Sequence, residues 1–254
     1  MADIKRLLDD KVKFYNNPGF ISGDPISVPH RFTKLQDIEI SGFFASIFAW
    51  GNRTTIINKT LELMALMDNA PHDFILHAAD KELKRLLNFK HRTFQTDDLL
   101  YFISFFKWYY GQHKSLETAF ARGILPDDTS IENGLKGFRE LFFSLPHLGR
   151  TRKHVSSPVT GSSCKRINMY LRWMVRRDDN GVDFGLWQNI DAGKLVCPLD
   201  VHVGRVARRL GLLERPTDDW QAARELTEAL KVYDNEDPVK YDFALFSIGV
   251  MEKI

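Results

Sequence analysis

Apolar residues recur along this chain at helical rather than strand spacing. Val203, Val206, Ala207 and Leu210 fall at i, i+3, i+4 and i+7, which forms one stripe and leaves Arg205, Arg208 and Arg209 to the flanks and outer face. Gly211 supplies a stop, and Asp200, shortly after Pro198, has the side chain of a helix N-cap. Ile167, Tyr170, Leu171 and Met174 repeat the spacing, with Arg166, Arg172, Arg176 and Arg177 off the main stripe. The same reading predicts helices over residues 38–50, 54–68, 79–88, 97–110, 130–144, 163–177, 201–210, 218–232 and 238–250. No series of alternating strands appears, so the fold class predicted is all-α. The most loop-like stretches are 151–164, with Pro158 and Gly161, and 178–185. Neither resembles an interdomain tether, and no solenoid-period repeat or low-complexity tail is present.

Composition changes this picture in three ways. With 254 residues, 44% hydrophobic and 12% aromatic, the chain can bury one large core or two closely joined lobes. No apolar run reaches membrane-spanning length, and the charged start MADIKRLLDDKVKF lacks the apolar segment of a signal peptide, which predicts a cytoplasmic protein. Cys164 and Cys197 are too few for a zinc ribbon or a four-cysteine cluster and fit a reducing compartment, with a disulfide between them left open. Eight histidines without a His-Glu-x-x-His pattern give little support to zinc, so neither metal nor cofactor is expected.

Charge is distributed unevenly. Residues 150–211 hold twelve Lys/Arg against five Asp, a net +7, while the whole chain carries +2 and the remainder therefore −5. Two readings stand: solvated helix faces, or a phosphate-binding surface.

Candidate chemistry centres on two residues. Lys165 directly follows Gly161-Ser-Ser-Cys at a helix start, where the positive helix end and Arg166 favour a neutral, nucleophilic amine; the ordinary alternative is a solvated lysine. Asp200 is structural as a cap, yet a carboxylate fixed beside arginines is also suited to stabilising a developing cation. Other residues are open to two readings. Trp50 is a core aromatic or part of a pocket rim. His202 contacts phosphate or bonds at the helix start. His91-Arg92 and His30-Arg31, each set between aromatics, fix loops or line a pocket. The turn 234–238 reads as an acidic cap on the last helix, from which Tyr241, Asp242 and Phe243 are candidates to reach a central cleft.

The segment Gly161-Ser-Ser-Cys-Lys165, a following helix, and Pro198-Leu-Asp-Val-His-Val-Gly-Arg-Val-Ala-Arg-Arg-Leu210 resembles the helix-hairpin-helix/Gly-Pro-Asp (HhH-GPD) superfamily of DNA base-excision glycosylases. The second half is the more specific match. The 35-residue separation of Lys165 and Asp200, lengthened by an apparent insertion over 178–194, is similar to the archaeal GO glycosylase branch, which handles oxidised guanine. Residues 38–52, followed by Asn58-Lys59, resemble the family's early helix and DNA-facing loop. The chain departs from the family's Gly-x-Gly hairpin signature, offering only Gly161. Over its whole length it also looks like an uncharacterised bacterial protein family.

The resemblance implies a two-lobed helical HhH-GPD DNA-glycosylase-like fold in a single domain over 1–254, with a middle lobe at about 38–177 and a second lobe from the N-terminal segment plus about 198–254. It implies Lys165 as nucleophile and Asp200 as the essential carboxylate, giving base excision with abasic-site lyase activity on an oxidised purine such as oxidised guanine. Arg150, Arg152, Lys153, Gly161, Ser162, Ser163, Arg166, His202, Arg205 and Arg208 are the expected DNA contacts. Trp50, Asn52, Arg53, His91 and Arg92 are the expected base pocket or wedge. The partner would be double-stranded DNA with a damaged base, bound by a nucleoid-associated monomer with no membrane contact. The alternatives are a non-catalytic helical nucleic-acid-binding module, or a helical scaffold for an acidic partner.

Overall fold

The computed structural model describes residues 2–250. Twelve α-helices and several short 3₁₀ turns account for its regular structure, and among the described residues β-pairing is limited to the isolated bridges His91–Phe94 and Ser162–Asp219. The fold is all-α.

At the centre lies α2 (Leu35–Phe48), in which every residue from Asp37 onward is buried. A helix enclosed on all sides needs neighbours on every face. α3 (Arg53–Leu66), α4 (Pro71–His77) and α9 (Lys165–Val175) all pack on it, and Gly42 admits α9 closely, since a Cβ there would meet Met174 Cε at 3.3 Å. The rings of Phe43 (α2), Phe102 and Phe106 in α6 (Thr96–Tyr110), and Phe138 and Phe142 in α8 (Glu132–Phe142) pack edge to face or tilted with centroids 5.5–5.9 Å from Phe43. Burying each such side chain contributes on the order of 2 kcal/mol.

One polar node sits inside this aromatic core. Glu39 of α2 is fully buried, and its carboxylate accepts from Ser115 Oγ, Trp187 Nε1 (2.7 Å), Tyr110 Oη (2.9 Å) and Leu116 N (3.1 Å). Burial pushes its pKa up, with these four donors pulling against that shift.

The remaining helices build the other side of the molecule. α10 (Val201–Arg209) packs on α12 (Asp242–Val250), α1 (Ala2–Tyr15) packs on α12 so that the first and last described helices meet, and α11 (Trp220–Lys231) contacts the 3₁₀ turn Pro238–Tyr241 that leads into α12. The short helices α5 (Asp80–Leu83) and α7 (Glu117–Ala121) complete the set. A single cluster of buried apolar residues runs from Leu8 to Ile248.

Several sequence-read boundaries move. The helix expected over 79–88 is one α-turn followed by a 3₁₀ turn, Lys84–Leu86, and the one expected over 238–250 becomes α-helical only at Asp242. α1, α4 and α7 were not anticipated. The stretch 151–164, expected as one of the most loop-like, includes the end of one 3₁₀ turn, Gly149–His154, and all of a second, Pro158–Thr160.

The larger change concerns charge. Arg172 and Arg176, expected off the main apolar stripe of their helix, are 4% and 2% exposed. Arg172 pairs with Asp183 and Asp242, while Arg176 pairs with Asp178, Asp183 and Asp237. Part of the +7 segment is therefore neutralised internally, because the 178–185 loop folds back and places Asp183 between the two guanidiniums.

Candidate functional site

The turn before Lys165 is built from small residues in unusual backbone conformations. Gly161 has φ +73° and Cys164, buried, has φ +55°, a left-handed conformation that costs a non-glycine residue on the order of 1 kcal/mol. Polar contacts hold it there: Cys164 N donates to Ser162 Oγ (3.1 Å), and Asn168 Nδ2 donates back to Ser163 O (3.1 Å). Ser163 Oγ donates to Leu199 O (3.0 Å), tying the start of α9 to the residue just before Asp200.

Asp200 caps α10 as its position predicts. Its Oδ1 accepts from His202 N (2.9 Å) and Val203 N (3.0 Å), while Oδ2 lies 3.7 Å from Lys165 Nζ. That separation is an ion pair rather than a tight hydrogen bond. Both side chains are about three-quarters buried, at 24% and 25% exposed.

The two groups line one cavity of about 640 Å³, within the range of small-molecule sites. Trp50, Arg53, Arg166 and His202 line the same cavity, so four more of the residues singled out from sequence converge there. Arg166 donates to Ile47 O (2.6 Å) and has no carboxylate within ion-pair distance among the described residues; burial pulls its pKa down. Arg53 begins α3, its guanidinium 4.6 Å from the Phe246 ring, and its Nη2 is buried without a hydrogen-bond partner among the described residues.

Others are placed outside the cavity. Asn52 caps α3 by accepting from Thr55 N (3.1 Å). Arg92 stacks over Trp50 at 4.7 Å from outside, and His91 Nε2 lies 3.2 Å from Phe48 O, its pKa lowered by burial. Gly161 O accepts from Trp220 N (3.1 Å), and Ser162 bridges to Asp219. Arg150 is paired with Asp98 (2.9 Å), Arg205 donates to Gly249 O (3.0 Å), and Arg208 pairs with Asp218 (2.7 Å). Arg152 and Lys153 are exposed, the first 5.7 Å over the Phe143 ring.

Asp242 reaches the cavity and Asp24, Phe20 and Arg172 join it. Burial pushes the Asp242 carboxyl up to about 6 against the opposing pull of Arg172. Burial also works against the Arg172 charge, but Asp183, Asp242 and Asp24 outweigh it and hold the guanidinium firmly protonated. Asp24 and Phe20 were not found from sequence, where Gly23-Asp-Pro25 gives only a turn signal. No cluster of three or more His, Cys, Asp or Glu suited to a metal exists among the described residues.

A family profile described as Protein of unknown function (DUF2400) matches residues 24–251. The chain belongs to that family. No curated protein and no solved structure matches it. The DUF2400 match corrects the resemblance drawn from the Lys165 and Asp200 segments: the family that matches is DUF2400, and no HhH-GPD family does. A capped aspartate after proline and a lysine at a helix start are short local patterns, and they do not define a family. None of the helices described in this DUF2400 chain is long and apolar enough to cross a membrane.

Proposed function

We propose that this DUF2400 protein excises a damaged base from double-stranded DNA and cleaves the resulting abasic site, with Lys165 as nucleophile and Asp200 as its carboxylate partner. The observation that carries this reading is the meeting of Lys165 Nζ and Asp200 Oδ2 at 3.7 Å in one cavity, from residues 35 apart in the chain. An oxidised purine is the proposed substrate class, and the protein would work with the nucleoid.

The chemistry follows from the two groups. As the glycosidic bond breaks, its electron pair leaves with the base and positive charge develops on the sugar, which a fixed carboxylate at Asp200 stabilises. Lys165 first gives up a proton from its ion pair to water; its amine then attacks C1′, and the further proton this leaves on nitrogen passes to Asp200 or water. Ring opening gives a Schiff base. Transfer of a C2′ proton to water then expels the 3′ phosphate, which leaves with the electron pair of the broken C3′–O bond. Two backbone N–H groups, of His202 and Val203, donate to Asp200 Oδ1 and hold the carboxylate in position.

Supporting features surround the pair. Arg166, without a carboxylate partner among the described residues, and His202 lie beside it for phosphate contact, and Trp50 stands at the cavity for stacking. Flipping a base into this space costs a few kcal/mol, which stacking must offset.

Borohydride trapping tests the reading. With duplexes carrying oxidised guanine or an abasic site, the parent protein is expected to form a covalent adduct and Lys165→Gln to form none. Undiminished trapping in Lys165→Gln moves the nucleophile to another amine. Absence of both trapping and base release across a broad lesion panel removes the enzyme reading.

A further inference from the structure

Asp24 is a charged group in the cavity that the proposed bond cleavage does not use. It caps the 3₁₀ turn Pro25–Ser27, with Oδ1 accepting from Ile26 N at 3.1 Å. That is its single side-chain hydrogen bond among the described residues, and no Lys, Arg or His lies within ion-pair distance. The residue is 6% exposed, yet it lines the cavity. A buried carboxylate with one N–H is under-satisfied, because its two oxygens can accept about four hydrogen bonds. Burial pushes its pKa up, with the Ile26 N–H and the more distant Arg172, Arg53 and Lys165 charges opposing the shift.

Aromatic rings line the same cavity as Asp24. Phe20 and Phe246 both line the cavity, with ring centroids 6.4 Å apart and 71° between planes, and Trp50 joins them. A flat, apolar-faced ligand with an N–H edge matches such a site: its faces meet apolar ring surface, and the carboxylate accepts from its edge. Arg172 acts on Asp24 only at a distance, its guanidinium being in direct contact with Asp183 and Asp242.

We infer that Asp24 is a specificity-determining residue that reads two adjacent N–H donors, one on the ring and one exocyclic, of a nucleobase held in the cavity. Guanine presents that edge. Hypoxanthine lacks the exocyclic amino group, and adenine turns a ring acceptor toward the carboxylate, which repels it. The inference rests on the proposed entry of a nucleobase into this cavity, but not on any bond being cleaved there.

Asp24→Asn separates the two roles of the residue. The amide oxygen can still cap Ile26 N–H, so the turn is retained, while the second oxygen becomes an N–H₂ donor facing the ligand's own donors. The experiment is calorimetric titration of the full chain with deoxyguanosine, deoxyinosine and deoxyadenosine at millimolar concentrations. A charge-assisted hydrogen bond corresponds to about a tenfold affinity difference, so the parent is expected to hold deoxyguanosine about tenfold tighter than deoxyinosine, with deoxyadenosine weaker still. In Asp24→Asn that preference is expected to vanish while the melting temperature stays within about 2 °C of the parent. Equal binding of deoxyguanosine and deoxyinosine by the parent, or a preference that survives in Asp24→Asn, overturns the assignment and leaves the nucleobase cavity standing. Binding of none of the three overturns both.

Discussion

Asp200 uses its two carboxylate oxygens for different tasks: Oδ1 caps α10 through His202 N and Val203 N, and Oδ2 faces Lys165 Nζ at 3.7 Å. The cap fixes the carboxylate, so its second oxygen is held facing the lysine.

This division predicts two distinct variants. Asp200→Asn keeps a cap oxygen, so its melting temperature should stay within about 2 °C of the parent, while base release falls by about 10²–10³-fold through loss of the negative charge. Asp200→Ala removes the cap as well, at about 1 kcal/mol, and should lower the melting temperature by a further 2–4 °C or so. Thermal melts and single-turnover base release measured on both variants check the pair.

The approach of α12 to α10 sets where that cap sits. A Cβ at Gly249 would lie 3.0 Å from His202 O and 3.2 Å from His202 Cβ, which is too close for the backbone to accept unchanged. Gly249→Val should cost about 1–3 kcal/mol by overpacking and weaken borohydride trapping by shifting the start of α10. A melt and trapping yield equal to those of the parent would show that the two helices separate freely.

DNA affinity should fall with rising salt as phosphates replace counterions. Arg152 and Lys153 are exposed, so Arg152→Glu with Lys153→Glu should weaken binding and reduce the salt slope by about 2. Arg208 is already matched to Asp218 and to Arg215 O, so Arg208→Gln should leave the slope unchanged and act on stability instead. Fluorescence anisotropy over a salt series distinguishes them.

Acid stability should report on His154. It is buried, with Nε2 3.1 Å from Asp98 Oδ2, and burial lowers its pKa from 6.5 to about 4 despite that carboxylate. A histidine depressed on folding favours the folded state while neutral. Its contribution is therefore complete above 6.5 and is lost as pH falls through about 4, amounting to at most about 3 kcal/mol. Denaturant melts of His154→Gln should show a shallower loss of stability across that window; an unchanged pH profile would assign the acid lability to other groups.

Much of the helical framework was legible in the sequence because it is written in local periodicity. The stripe of Val203, Val206 and Ala207 is buried in α10, and Ile167, Tyr170, Leu171 and Met174 are buried in α9. α1 carried a weaker form of the same signal, Ile4, Leu8 and Val12 at four-residue spacing, obscured by the surrounding charges; of these Leu8 is fully buried. The short helices α4 and α7 span too few residues to show a period.

The sequence by itself determined that Asp200 caps a helix and that Lys165 begins one, since capping depends on a side chain and the next three amides. Only the tertiary structure decided that these two ends face one cavity, that Asp24 from a distant turn joins them, and that Arg172 and Arg176 are inward ion-pair partners rather than phosphate ligands. The reason is physical. A helical period fixes which face of its own helix a side chain occupies, whereas the partner of a buried charge is set by how whole helices and the 178–185 loop pack against one another.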